Sequence, residues 1–281
     1  MLPRWSPGAG YETGRGAGRD VGVPNPGATP PADAPFRPGG VRAGLTALGV
    51  FAVAQLVMLP VSGLVLALFV LADPDALAGD RLPPWPLLAL LVVPASVGAL
   101  TAVAGTALAG RGPRAGRVRR ELALRWDWSA LGTGLVLGLG GLLLTVPAAW
   151  AWAAWVGDDR AGSVVGDAFA GRQLGLLPAA VAFLAVWLVA PLVEEVLFRG
   201  VLWRALEHWG WNRWVVFAVT TAVFSVAHLE LLRTPLLVVL SIPIGLARLV
   251  TGNVLAGVVA HQVNNFLPAA GIFLATSGVV G

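Results

Sequence analysis

Glu194, Glu195 and Arg199 stand together in the run Ala190-Pro-Leu-Val-Glu-Glu-Val-Leu-Phe-Arg, with apolar residues on both sides. On a helix, Glu195 and Arg199 are four apart and share a face, so they can pair. Glu194 is rotated by about 100° and stays available for another partner. One carboxylate is thus cast for structure and one for chemistry. Phe224 and His228 repeat the four-residue spacing in a second apolar run, and His261, Asn264 and Asn265 cluster at spacings of three and four in a third. Two imidazoles, a free carboxylate and an amide are the parts of a hydrolytic site. Glu can deprotonate water, His can move a proton, and a second His with Asn can hydrogen-bond the oxyanion of a tetrahedral intermediate. His and carboxylate also suit a catalytic zinc with an open water position, which makes Glu194, His228 and His261 candidate ligands. The compact His-Glu-x-x-His helix of metalloproteases is absent, and a mechanism without metal fits the same residues.

The elements that must hold these groups are membrane helices. The chain is 57% hydrophobic and 12% charged, with a mean hydropathy of +0.77, whereas soluble domains carry about 25% charged residues. Apolar stretches near the length of about 20 residues needed to cross a bilayer recur from residue 43 onward. The expected fold is an all-α, polytopic transmembrane bundle of about eight helices. Spans are predicted over 43–71, 85–109, 130–156, 177–209 and 214–230. Three shorter ones follow, separated by breaks near Arg233 to Pro235, Gly252 to Asn253, and Pro268. The glycines of the third span (Gly132, Gly134, Gly138, Gly140, Gly141) resemble a nucleotide loop only superficially. No Lys-Ser/Thr follows them, and close helix packing is the expected role.

Ionisable groups inside such spans cost a few kcal/mol each and persist when paired or needed. Arg204, Glu207 and His208 fit a plainer role, as the polar end of the fourth span at the lipid surface. Register links the Glu pair to the next helix. Glu195 lies about 16 residues before the turn near Trp211 and His228 about 17 after it, so both sit about 25 Å from that turn in an antiparallel hairpin. They can meet.

Residues 1–40 form a Gly/Pro/Arg-rich segment without an apolar core, expected to be a disordered tail, and 41–281 the membrane domain. No apolar stretch early in the tail has the form of a secretory signal, so the first span is expected to be uncleaved and the mature protein to begin near Met1. All basic residues are Arg and there is no Cys, which excludes disulfides and thiolate metal sites. The pI of 11.1 reads as basic loop charge and not as nucleic-acid binding. The loop at 110–128, with Arg111, Arg114, Arg117, Arg119, Arg120 and Arg125, is expected in the cytoplasm together with the N-terminus. The expected setting is a multi-pass protein of a bacterial plasma membrane, with the lipid bilayer and a peptide or membrane protein as partners. Oligomeric state is not legible.

Glu-Glu-x-x-x-Arg (Glu194, Glu195, Arg199), Phe-x-x-x-His (Phe224, His228) and His-x-x-x-Asn (His261, Asn265), in this order on three apolar helices, resemble the pattern of the CAAX protease and bacteriocin-processing (CPBP, Abi) intramembrane endopeptidases. That family includes the prenyl-protein protease called Ras-converting enzyme. The resemblance covers about 177–267 and implies an eight-helix fold with a catalytic cavity inside the bilayer. It implies that Glu194 activates water, aided by His228, that His261 and Asn265 stabilise the oxyanion, and that Glu195 and Arg199 support Glu194. Zinc-dependent and metal-free mechanisms are both compatible with it. Readings from other classes are a transporter with a Glu/His ion relay and a non-catalytic membrane scaffold. A transporter would be favoured by an internal repeat with broken helices in matching positions, and the two halves show none.

Overall fold

The computed structural model describes residues 36–75, 79–109 and 113–279. Most of the segment expected as a tail, residues 1–35, lies outside them. The described residues are all-helical, with ten helices. They are α1 (Gly40–Ala72), α2 (Pro84–Leu108), α3 (Arg114–Glu121), α4 (Trp128–Val156), α5 (Asp158–Ala161), α6 (Val164–Phe169), α7 (Leu176–His208), α8 (Arg213–Ala227), α9 (Thr234–Thr251) and α10 (Val254–Ser277). Six of them, α1, α2, α4, α7, α9 and α10, are long and apolar enough to cross a membrane.

Pro268 does not end a helix as the sequence suggested. α10 continues through it to Ser277, so two helices and not three fill the region after residue 233. Proline is tolerated inside membrane helices because neighbouring groups satisfy the backbone it strands. Asn264 and Asn265 consequently lie within α10 and cap nothing.

The glycine-rich helix α4 packs along α9 and α10. A Cβ on Gly138 would lie 3.0 Å from the Cα of Ala260, so the absent side chain sets how closely α4 approaches the helix that carries His261.

α7 runs through the middle, touching α1, α2, α8 and α10. Its residues Glu195–Leu202 are all buried. The helix widens into π turns at Ala185–Val189 and Glu195–Leu202. The first has an identifiable cause. Pro191 has no N–H, and the Ala190 N–H bonds the Ala185 carbonyl five residues back, which leaves the Val186 carbonyl without its π partner.

α8 is short. Its 15 residues span about 22 Å, less than the roughly 30 Å hydrocarbon thickness, and it stops at His228, which forms its C-terminal cap. Beyond it Leu229 has a positive φ of 57°, an uncommon backbone for a residue with a branched side chain. Glu230 then reaches across to the start of α6, accepting a hydrogen bond from the Val164 N–H at 3.0 Å.

At the other end of α7, Arg204 and His208 are buried, with relative exposures of 5% and 8%. This corrects their reading as a polar helix end at the lipid surface. Arg204 donates to the carbonyls of Glu121 (2.8 Å) and Arg120 (2.7 Å) and to Glu207 Oε2 (2.6 Å). Its fork therefore caps the orphan carbonyls at the end of α3. His208 Nε2 lies 3.0 Å from Glu121 Oε2, and its Nδ1 accepts the Gly39 N–H at 3.0 Å. The Phe36 ring lies over the Arg204 guanidinium at 3.8 Å. Burial works against ionisation of Glu121, yet the His208 hydrogen bond, with the charges of Arg204 and Arg120, holds its carboxyl below the usual value.

Candidate active site

Glu195 is fully buried, as is Arg199, and Arg199 Nη1 donates to Glu195 Oε1 at 2.9 Å. The i,i+4 pairing expected from the sequence is therefore present. Arg199 Nη2 donates to Ser241 Oγ on α9. The face of Phe224 lies 4.4 Å from the guanidinium carbon, a cation–π contact that has its full strength only away from water. Phe224 also touches Phe198, His228 and His261, with ring centroids 5.3, 4.7 and 5.8 Å apart. It is the apolar hub on which the charged groups are arranged.

His261 is buried on α10 and bridges the carboxylates. Its Nδ1 lies 3.1 Å from Glu195 Oε1, and its Nε2 lies 3.6 Å from Glu194 Oε2. Glu195 Oε1, already bonded by Arg199, can only accept, so Nδ1 carries the proton and the ring is oriented by Glu195. Glu194 differs from its neighbour: its side chain is 26% exposed. Of the two carboxylates, it is the one with accessible surface.

His228 is tied to the same hub by a different link. Its ring nitrogen Nδ1 donates to the Phe224 carbonyl at 2.8 Å, which leaves Nε2 as a lone-pair acceptor in the neutral ring. It makes no hydrogen bond or ion pair to Glu194, so the level placement of the hairpin brings His228 to the site through Phe224 and not by direct bonding. The Asn265 amide donates to the Val186 carbonyl at 3.3 Å, the group stranded by Pro191, and this ties α10 to α7. An amide has two N–H donors, and this bond uses one. Asn264 accepts from Thr145 Oγ1 at 3.0 Å and belongs to the α4 contact.

Three participants have no motif to announce them. Ser241 receives Arg199. Arg248, seven residues further along α9 and 3% exposed, donates from Nε to the Arg199 carbonyl at 3.1 Å. Gly257 faces Glu195, and a Cβ there would lie 2.6 Å from Glu195 Oε2. The signal for Ser241 and Arg248 was a Ser and an Arg two helical turns apart in an apolar helix, a spacing that puts both on one face.

The pair is not fully satisfied. Glu195 Oε2 and Arg199 Nε are buried without hydrogen-bond partners, an uncommon condition in native interiors. Among the described residues no group of three or more His, Asp and Glu side chains is arranged to hold a metal ion. Glu194 and His261 converge, while His228 is turned to the Phe224 carbonyl. As arranged, the three candidate ligands do not converge on one point and so do not fit a zinc ion.

Residues 176–267 match the model of the Rce1-like family, described as type II CAAX prenyl endopeptidases. The matched stretch begins at the start of α7 and ends just past Asn265, so it contains all three motifs and the helices that carry them. No curated protein and no solved structure matches the chain. A membrane-embedded helical protein with a stretch of the CAAX-protease type is what the fold and the comparisons together define.

Proposed function

We propose that the protein is an intramembrane endopeptidase in which Glu194 activates water for attack on a peptide carbonyl. The observation that carries this reading is the unequal pair of adjacent carboxylates. Glu195 is sealed and neutralised by Arg199, whereas Glu194 is part-exposed and faces His261 Nε2 at 3.6 Å. Glu194 takes a proton from water as the oxygen attacks the carbonyl. His261, held by Glu195 through Nδ1, presents the Nε2 lone pair that relays this proton to the leaving amine. The uncommitted N–H of Asn265, one turn along α10, is the candidate donor to the oxyanion, and its hydrogen bond to Val186 fixes the amide in advance. His228, with Nε2 free, is the second proton-handling group.

The basic stretch around α3 lies at the same end of the bundle as the start of α1 and the end of α7. Under the positive-inside rule that end faces the cytoplasm. The substrate is a peptide segment delivered at or within the membrane.

The test is cleavage of a panel of peptides and membrane-protein segments by protein in detergent and in nanodiscs. Wild type is compared with Glu194→Gln, His261→Asn and His228→Asn, with and without a chelator. Cleavage by wild type and loss in folded Glu194→Gln is the expected result. Cleavage that survives in Glu194→Gln overturns the assignment. Loss of wild-type activity on chelation, restored by zinc, would replace the metal-free mechanism with a metal-dependent one.

A further inference from the structure

α8 starts and α9 stops at the α3 end of the bundle, and both helices are short. α8 leaves the turn that follows α7, with Trp211 and Trp214 exposed at its start. α9 leads into Asn253, whose amide donates to the Arg125 carbonyl at 2.7 Å, and Val254, whose N–H donates to the Ala123 carbonyl at 3.1 Å. From that end α8 covers about 22 Å and α9, with its 18 residues, about 27 Å. α4 supplies a ruler for the membrane. Trp128 and Trp155, 74% and 77% exposed, stand at its two ends about 40 Å apart, which matches two headgroup levels across a hydrocarbon core of about 30 Å. The connection between α8 and α9 therefore lies about 13–18 Å short of the Trp155 level. That depth is inside the hydrocarbon and not at its surface.

The side chains of the connection are arranged for such a setting. Leu229, Leu231 and Leu232 turn outward and are 82%, 79% and 52% exposed. The two charged residues between and after them turn inward: the side chains of Glu230 and Arg233 are 12% and 22% exposed and pair at 3.1 Å. Glu230 Oε1 accepts the Val164 N–H, and the Glu230 carbonyl accepts the Arg233 N–H at 2.9 Å and the Thr234 hydroxyl at 3.0 Å. A connection facing water has the opposite pattern, with charges outward and leucines withdrawn. Non-helical backbone at membrane depth must find its partners in the protein, and intramembrane charges persist in pairs. Here the bonded polar groups are on the inner side and the leucines form the outer one.

We propose that residues 229–233 are an intramembrane loop whose leucine face contacts lipid acyl chains and which holds His228, the cap of α8, below the membrane surface. The proposal rests on the chain spanning a bilayer and not on the peptidase reading.

The chain has no Cys, so Leu231→Cys introduces a single thiol. In nanodiscs, which leave both membrane faces open, the variant is reacted with a sulfonated, membrane-impermeant maleimide. A second sample carries bimane on the thiol and is quenched with phospholipid brominated along its acyl chains. Leu143→Cys, in the middle of α4 and 82% exposed, is the lipid reference, and Asp159→Cys, whose native side chain is 82% exposed in α5, is the water reference. The loop thiol should react at least about tenfold more slowly than Asp159→Cys, because a charged reagent is excluded from hydrocarbon. Its bimane should be quenched as strongly as that on Leu143→Cys. Leu229→Cys and Leu232→Cys repeat both measurements, so the misfolding of one variant does not decide the outcome. Reaction as fast as at Asp159→Cys overturns the proposal and places the loop in water. Slow reaction without quenching by the brominated chains also overturns it, and names protein as the cover.

Discussion

α7 carries two buried polar clusters of similar composition, and they differ in how completely they are satisfied. The cluster of Arg204, Glu207, His208 and Glu121 closes on itself. Its arginine caps the carbonyls of α3, its histidine uses both ring nitrogens, and one end is sealed by Gly39 and Phe36. The cluster of Glu194, Glu195, Arg199 and His261 leaves a carboxylate oxygen and a guanidinium nitrogen without partners and keeps one carboxylate partly exposed. A closed network holds helices together. A network with unmatched groups, on a widened stretch of helix, keeps capacity for chemistry at some cost in stability.

The largest effect should come from Glu194→Gln, an expected loss of about a hundredfold to ten-thousandfold in peptidase turnover. The thermal midpoint should stay near wild type, because among the described residues Glu194 has no partner closer than 3.6 Å. A midpoint that collapses with activity would put Glu194 in the structural class and break the contrast. Arg199→Met strands a wholly buried carboxylate and should destabilise by about 3–5 kcal/mol, read by denaturant unfolding in mixed micelles. A smaller change would mean that the pair is replaceable by packing alone.

Gly257→Ala adds a methyl group 2.6 Å from Glu195 Oε2. Displacing Glu195 also turns His261, so turnover should fall by about a hundredfold with a modest stability change. Unchanged kinetics would show that the unpartnered oxygen has room to move. In the closed cluster the pattern should reverse. Glu207→Gln should cost about 1.5–3 kcal/mol through its bonds to Arg204 and leave kcat where it was.

The smallest effect concerns pH. Glu121 has a carboxyl held below its ordinary 4.5, so its contribution to stability is fully present above that value. It is lost as the pH falls through the lower folded value. The difference in thermal midpoint between wild type and Glu121→Gln should therefore be constant at neutral pH and shrink once the pH drops below about 4.5. A difference that grows on acidification would contradict the assigned sign.

The sequence by itself determined the membrane class, most span positions and the Glu195–Arg199 pair. Each depends on composition or on a separation of four residues, which helix geometry converts directly into proximity. It also nominated Glu194, His261 and His228, because polar groups in apolar helices are conspicuous. What only the tertiary structure decided was which of these groups touch. His261, 66 residues from Glu195, bridges the two carboxylates, while His228 turns to Phe224. Asn265 reaches a carbonyl freed by Pro191, and Pro268 passes through a helix it was expected to end. Arg204 and His208 are buried by carbonyls and a carboxylate more than 80 residues away in the chain. Such contacts depend on how close the helix backbones come, which is set by small residues such as Gly138 and Gly257. A glycine is legible as a small residue, but the atom that fills the space it leaves is chosen by a distant part of the fold.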